Sequence, residues 1–134
     1  MTIPNNKNIR IDCYLAILDK TRKLYPNARF EVITRVAKHP LSPSWSLLNK
    51  AKAVKMPFDE YITRLSLELA YVVDKEGNLK HNEEVIAKLA ELAEYSEKNL
   101  LFLVCYEKDP KFCHRSYIKK VLEIIQENHR RKGK

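Results

Sequence analysis

Leu100-Leu101-Phe102-Leu103-Val104 is an unbroken run of five apolar residues directly after Asn99. It is short for a helix and does not alternate as a half-exposed strand would, so it reads as a strand covered on both faces. A strand buried on both sides needs helices above and below it, and the rest of the chain supplies them. Pro57 at a favoured first helical position, with Asp59 and Glu60 in the first turn, opens a helix. Its apolar stripe runs Phe58, Tyr61, Ile62, Leu65, Leu69 and Val72. Asn82 caps a second helix with Val85, Ile86, Leu89, Leu92 and Ala93 on one face, and Ser44 caps a shorter one through Leu47, Leu48 and Ala51. Asp109-Pro110 opens a closing helix that buries Ile118, Val121, Leu122 and Ile125. Tyr14 to Tyr25 reads as a further helix ended by Pro26, and Asp74 to His81 as a turn around Gly77.

Two more strands are expected. Ile9, Ile11 and Cys13 alternate with polar residues, and Ala28 to Val36 alternates with Phe30, Val32, Thr34 and Val36 on one face. Strands separated by helices imply crossover connections, hence an α/β fold: a small single domain with a mainly parallel sheet flanked by helices. Its 134 residues, 45% of them hydrophobic, suffice for one core. The domain is expected over residues 1–129, followed by a basic, flexible tail at 130–134.

Charge and composition narrow the functions open to such a fold. The formal charge is +8, but Arg130, Arg131, Lys132 and Lys134 supply four of those charges, while residues 57–99 hold ten acidic and only five basic side chains. The body is therefore modestly basic, which favours an anionic partner, either a small molecule or nucleic acid. Gly77 and Gly133 are the only glycines, so neither a Rossmann Gly-x-Gly-x-x-Gly turn nor a Walker phosphate loop can be written, and no cofactor is expected. No stretch approaches the ~20 apolar residues that span a bilayer, and the polar start, Met1 to Lys7, is no signal peptide. We expect an intracellular, cytoplasmic protein with no membrane association. Cys13, Cys105 and Cys113 are then free thiols by default, with a Cys105–Cys113 bridge left open.

In open parallel sheets, ligands bind beyond the carboxyl ends of the strands. Two strands deliver polar groups there: one ends at Arg35 with His39 soon after, the other at Cys105, leading through Glu107 to Cys113, His114 and Arg115. Cys105, Glu107, Cys113 and His114 are the catalytic candidates, and Arg35, His39 and Arg115 the ligand-binding ones. Cys113 beside a helix N-terminus, His114 and Arg115 has the surroundings of a low-pKa thiol, and Arg115 adds donors where free helix amides already attract anions. Each has a structural reading as well. Cys105 serves as a small buried apolar group, Cys113 as a structural thiol, His114 as a core hydrogen-bond donor, and Arg115 as an ion-pair partner of Glu107 or Asp109. Glu107 suits a general base if burial raises its pKa, or a brace for Arg115. No metal site is expected, because adjacent Cys and His are awkward joint ligands and no Cys-x-x-Cys pair exists. Cysteine followed by five residues and arginine, the tyrosine-phosphatase loop, is also missing. Trp45, beside Pro43, either stacks on a base or pins the proline-rich loop.

The segment Leu101-Phe102-Leu103-Val104-Cys105-Tyr106-Glu107-Lys108-Asp109-Pro110-Lys111-Phe112-Cys113-His114-Arg115 resembles the hallmark of the domain of unknown function 488 (DUF488) family: an apolar strand ending in Cys-x-Glu, then a loop into Cys-His-Arg. Leu41-Ser42-Pro43-Ser44-Trp45, Pro57 to Tyr61, Arg64 and Glu68-Leu69 resemble its central loop and helix, so the likeness spans about residues 28–125. The family's usual proline two residues after the strand-end arginine is replaced by Ala37, and a glycine usual near Ala53 and Val54 is missing. The resemblance implies an α/β fold with a polar pocket and supplies no reaction. The expected function is a pocket for a nucleotide or nucleic-acid phosphate, with catalysis by a cysteine nucleophile or a Glu/His proton transfer as the chemistry such a set supports. The alternative is a non-enzymatic nucleic-acid-binding protein whose Cys-His-Arg cluster only braces the sheet edge.

Overall fold

A computed structural model describes residues 6–110 and 113–132. Residues 1–5, Lys111 and Phe112 of the hallmark segment, and Gly133 and Lys134 of the basic end lie outside the described residues. The order of elements is β1 (Ile9–Arg10), a 3-10 turn (Leu15–Ile17), α1 (Leu18–Leu24), β2 (Arg29–Val32), α2 (Trp45–Val54), α3 (Phe58–Ala70), β3 (Tyr71–Val73), β4 (Leu79–His81), α4 (Glu83–Ser96), β5 (Leu101–Val104) and α5 (His114–Lys132). The fold is α/β. β5 lies between β1 and β2, parallel to both, and β3 pairs with β4 as a separate antiparallel hairpin.

The apolar run is the central strand, and all four residues of β5 are buried. Because alternate side chains leave opposite faces of a strand, Leu101 and Leu103 enter the larger core with Leu65, Leu92, Ile118 and Leu122 from the later helices. Phe102 and Val104 enter a smaller core with Cys13 and the residues around α1. There Phe102 stacks on Phe30, with ring centroids 4.9 Å apart. The caps expected at Ser44 and Asn82 form, Ser44 accepting from the Leu47 amide and Asn82 from the Val85 amide, whereas the closing helix α5 begins at His114 and not at the expected Asp109-Pro110. The Ser44 hydroxyl and amide also donate to Glu68, which ties the proline-rich loop to α3.

Several expected boundaries move. The first strand is only Ile9–Arg10, and the stretch after Tyr14 begins as a 3-10 turn before α1. The helix from Phe58 stops at Ala70, and the Val72 expected on its stripe lies in the exposed hairpin strand β3. The turn at Asp74 to Asn78 is shorter than expected, with Gly77 at φ +85° and the Asp74 carboxylate accepting from the Glu76 and Asn78 amides. β2 ends at Val32 rather than near Val36. At the other end, α5 continues through the basic run expected as a tail. Arg130 and Arg131 pair with Glu127 one turn back, where cations also suit the negative helix end. No helix among the described residues is long and apolar enough to cross a membrane.

The register positions the site. Val32 of β2 is level with Val104 of β5, and the Ile33 amide donates to the Val104 carbonyl at 2.9 Å. The chain after β2 (Ile33, Thr34, Arg35) and the chain after β5 (Cys105, Tyr106, Glu107) therefore leave the sheet side by side at its carboxyl edge.

Candidate functional site

Cys105 follows β5 directly and forms a parallel bridge with Tyr14. Cys113 sits at the bend before α5, and His114 is the first residue of that helix. The break in backbone direction lets these two neighbours aim the same way, which a continuous helix would forbid. Both cysteines are free thiols, as is Cys13. The His114 ring lies with Nε2 at 2.7 Å from the Ile33 carbonyl oxygen. A carbonyl can only accept, so Nε2 carries the hydrogen and Nδ1 faces the sulfurs, 3.7 Å from Cys113 Sγ and 4.0 Å from Cys105 Sγ.

Cys113 is held far below the ordinary thiol range, chiefly by the hydrogen bond from Cys105 and against the desolvation of its site, with His114 adding to the effect. Cys105 is pushed up, by that same bond, by burial and by the charge on Cys113. The Arg115 Nε–H donates to Cys113 Sγ at 3.3 Å and places positive charge against the thiolate.

Cys105, Cys113 and His114 form the floor of a cavity of about 710 Å³. Its walls come from the segment after β2 (Thr34, Arg35, Val36), from α2 and its entry (Pro43, Trp45, Leu48, Lys52) and from the start of α3 (Phe58, Tyr61). Glu107 lines it beside the thiols, with its carboxyl pushed up by burial and then by the Cys113 charge, against the pull of Arg115. Burial, and then the negative sulfurs, push the Tyr61 phenol up as well. Arg35 is half-buried, and its side chain has no ion pair among the described residues.

Of the seven residues singled out in the sequence, Arg35, Cys105, Glu107, Cys113 and His114 meet at this cavity. His39 and Arg115 do not line it. The turn at Arg35 to Lys38, with Lys38 at φ 55°, carries His39 back alongside β2. There its Nδ1 accepts from the Leu41 amide, so Nε2 bears the hydrogen it gives to Glu31 at 2.9 Å. Arg115 is fully buried. Its Nη1 donates to the Ile11 and Cys13 carbonyls at 2.8 and 2.6 Å, and its Nη2 to the carbonyl of Glu107. A buried guanidinium must find acceptors, and the chain ends after β1 and β5 supply them before a ligand can. Glu107 thus does brace Arg115, but through its backbone, leaving its carboxylate to the cavity.

Sequence reasoning missed three residues of the wall, Phe58, Tyr61 and Lys52. Phe58 and Tyr61 sit on the apolar stripe of α3, and helical periodicity cannot separate residues facing a core from residues facing a cavity. Trp45 opens α2 and lines the cavity wall, 55% exposed. Lys52, on the same helix, carried no distinguishing signal. The premise against a metal also fails: Cys105, Cys113 and His114 bring three ligand atoms within 4.8 Å of one another.

Residues 20–126 match the family model DUF488-N3a, described as the active DUF488-N3 subclade. The chain belongs to the DUF488-N3a family. The match includes β2, all of the cavity wall and the Cys-x-Glu and Cys-His-Arg ends of the hallmark segment. No curated protein and no solved structure matches this DUF488-N3a chain.

Proposed function

We propose that the cavity binds a small anionic ligand of nucleotide type, its phosphate against Arg35 and Lys52 and its ring against Trp45, Phe58 and Tyr61. The observation that carries this reading is Arg35, a half-buried guanidinium on a cavity wall with no carboxylate partner among the described residues. A guanidinium so placed suits a phosphate, and an aromatic wall suits a base, whatever its sequence. The floor sets the orientation. A thiolate and Glu107 repel phosphate, so the phosphate belongs at the rim and the uncharged part of the ligand at the sulfurs. In the metal-free protein Cys113 is the nucleophilic group facing the ligand, and Glu107, whose burial favours its protonated form, is the proton donor beside it. The description of the family as an active subclade agrees with a chain that keeps Cys105, Glu107, Cys113 and His114 together.

Titration calorimetry with nucleoside monophosphates, the matching nucleosides and inorganic phosphate tests the reading. Monophosphates bind, nucleosides bind at least about tenfold more weakly, and Arg35→Ala removes the difference. Binding of none of the three, or indifference to Arg35→Ala, contradicts it. The alternative, a nucleic-acid-binding protein driven by the basic end, has less support, since Arg130 and Arg131 both pair with Glu127. Affinity for single or duplex strands that falls steeply with salt, and that drops on deleting residues 130–134, would favour it.

A further inference from the structure

We propose that Cys105, Cys113 and His114 form a three-ligand site for a thiophilic cation, Zn²⁺, with its fourth position open to the cavity. The inference goes beyond the anion pocket and stands without it, since it needs only the floor of the cavity and no nucleotide.

The spacing fits a tetrahedron. Zn²⁺ bonds of about 2.3 Å to sulfur and 2.1 Å to nitrogen put neighbouring S and N ligands about 3.6 Å apart. His114 Nδ1 lies 3.7 Å from one sulfur and 4.0 Å from the other, and all three ligand atoms lie within 4.8 Å of one another; a tetrahedral ion needs its two sulfurs about 3.8 Å apart, so it draws the thiols together by no more than about 1 Å, within reach of side-chain rotation. Hydrogen bonding alone leaves the cluster less well served. Nδ1 meets the sulfurs only at 3.7 and 4.0 Å, long for hydrogen bonds, whereas a cation engages both sulfurs and the nitrogen at once. Ligand chemistry selects the ion: two thiolates and an imidazole are soft and borderline donors that suit Zn²⁺ and reject Mg²⁺ or Ca²⁺.

The surroundings are those of a metal ligand set. The Nε2–H of His114 is held by the Ile33 carbonyl, which fixes the ring and its tautomer with Nδ1 free. Arg115 Nε–H supports the Cys113 sulfur from behind. All three ligands are buried, yet all three line the cavity, so an ion has a dry seat and a way in. Two thiolates neutralise the ion's charge. Three protein ligands with an open fourth position facing a cavity is the arrangement of a catalytic rather than a structural zinc site. With the ion bound, the sulfurs are ligands, and the thiolate chemistry of the metal-free protein is silenced.

The test uses Co²⁺ and Zn²⁺ alone on the chelator-treated protein, without nucleotide. We expect one Co²⁺ per chain, a thiolate-to-cobalt charge-transfer band with the strong visible absorption of tetrahedral coordination, and its loss on adding Zn²⁺ but not Mg²⁺. Cys105→Ser and Cys113→Ser each weaken binding by more than the about 10- to 100-fold typical of outer-shell changes. Cys13→Ser, a buried thiol outside the cluster, leaves it unchanged. Because the serine variants can fold poorly, a second measurement uses the unmodified chain: Zn²⁺ should slow alkylation of Cys105 and Cys113, as located by peptide mass mapping. Absence of the charge-transfer band, or alkylation of both cysteines at the same rate with and without Zn²⁺, overturns the proposal. A negative result here leaves the calorimetric test of the anion pocket untouched.

Discussion

Arg35 and Arg115 leave the same sheet edge, one after β2 and one at the start of α5, and are used in opposite ways. Arg115 is fully buried and joins the chain after β1, the loop after β5 and the Cys113 sulfur through its guanidinium. Arg35 stands half-buried on the cavity wall without an ion pair among the described residues. An arginine enclosed by backbone carbonyls is a structural fastener. One that faces a cavity unpaired is available to a ligand. Sequence position alone would assign them the same role.

This difference is tested most severely by Arg115→Met. The variant leaves three carbonyls without their donor and should lose about 3–5 kcal/mol of stability, read by urea denaturation. Arg115→Lys should recover little, because an ammonium cannot reach acceptors spread over a guanidinium's fork. A loss under about 1 kcal/mol would remove the fastener role. Arg35→Ala should shift stability by no more than about 0.5 kcal/mol, while weakening nucleotide binding at least about tenfold. If it unfolds the protein instead, the contrast between the two arginines is lost.

A smaller effect belongs to Glu31, which joins His39, Arg29 and Lys88 beside the site. Burial alone would raise its pKa, but the bonds from His39 and Arg29 outweigh it and hold the carboxyl down at about 2, against 4.5 for a free glutamate. The folded pKa is the depressed one. The pair's contribution is therefore complete above pH 4.5 and is lost as pH falls from there toward 2. Glu31→Gln should cost about 1 kcal/mol at neutral pH and flatten the acid limb of the stability curve over that window. An unchanged acid limb would show that Glu31 is not held by these bonds.

The parts of the fold that were legible in the sequence are those where one local pattern suffices. A strand covered on both faces must be apolar throughout, as Leu101 to Val104 are, and the caps Ser44 and Asn82 act within three residues of themselves. The β3–β4 hairpin was not legible, because Val72 continues the helical spacing of Leu65 and Leu69 while lying in an exposed strand. The site divides the same way. Cys105, Glu107, Cys113 and His114 follow from one strand end and the next helix start. The diversion of His39 to Glu31 and of Arg115 to Ile11 and Cys13 depends on partners 8 and more than 100 residues away. The aromatic wall from α2 and α3 required knowing which side of each helix meets the cavity.

An activated Cys113 thiolate on the floor of the cavity is read out by its alkylation with iodoacetamide across pH. In chelator-treated protein, the labelling rate of Cys113 should stay level from neutral pH down to about pH 5, where an ordinary thiol has lost most of its thiolate. A nucleoside monophosphate should slow the labelling. A rate that falls about tenfold per pH unit below the ordinary thiol pKa of about 8.5, and is unaffected by the nucleotide, would contradict it.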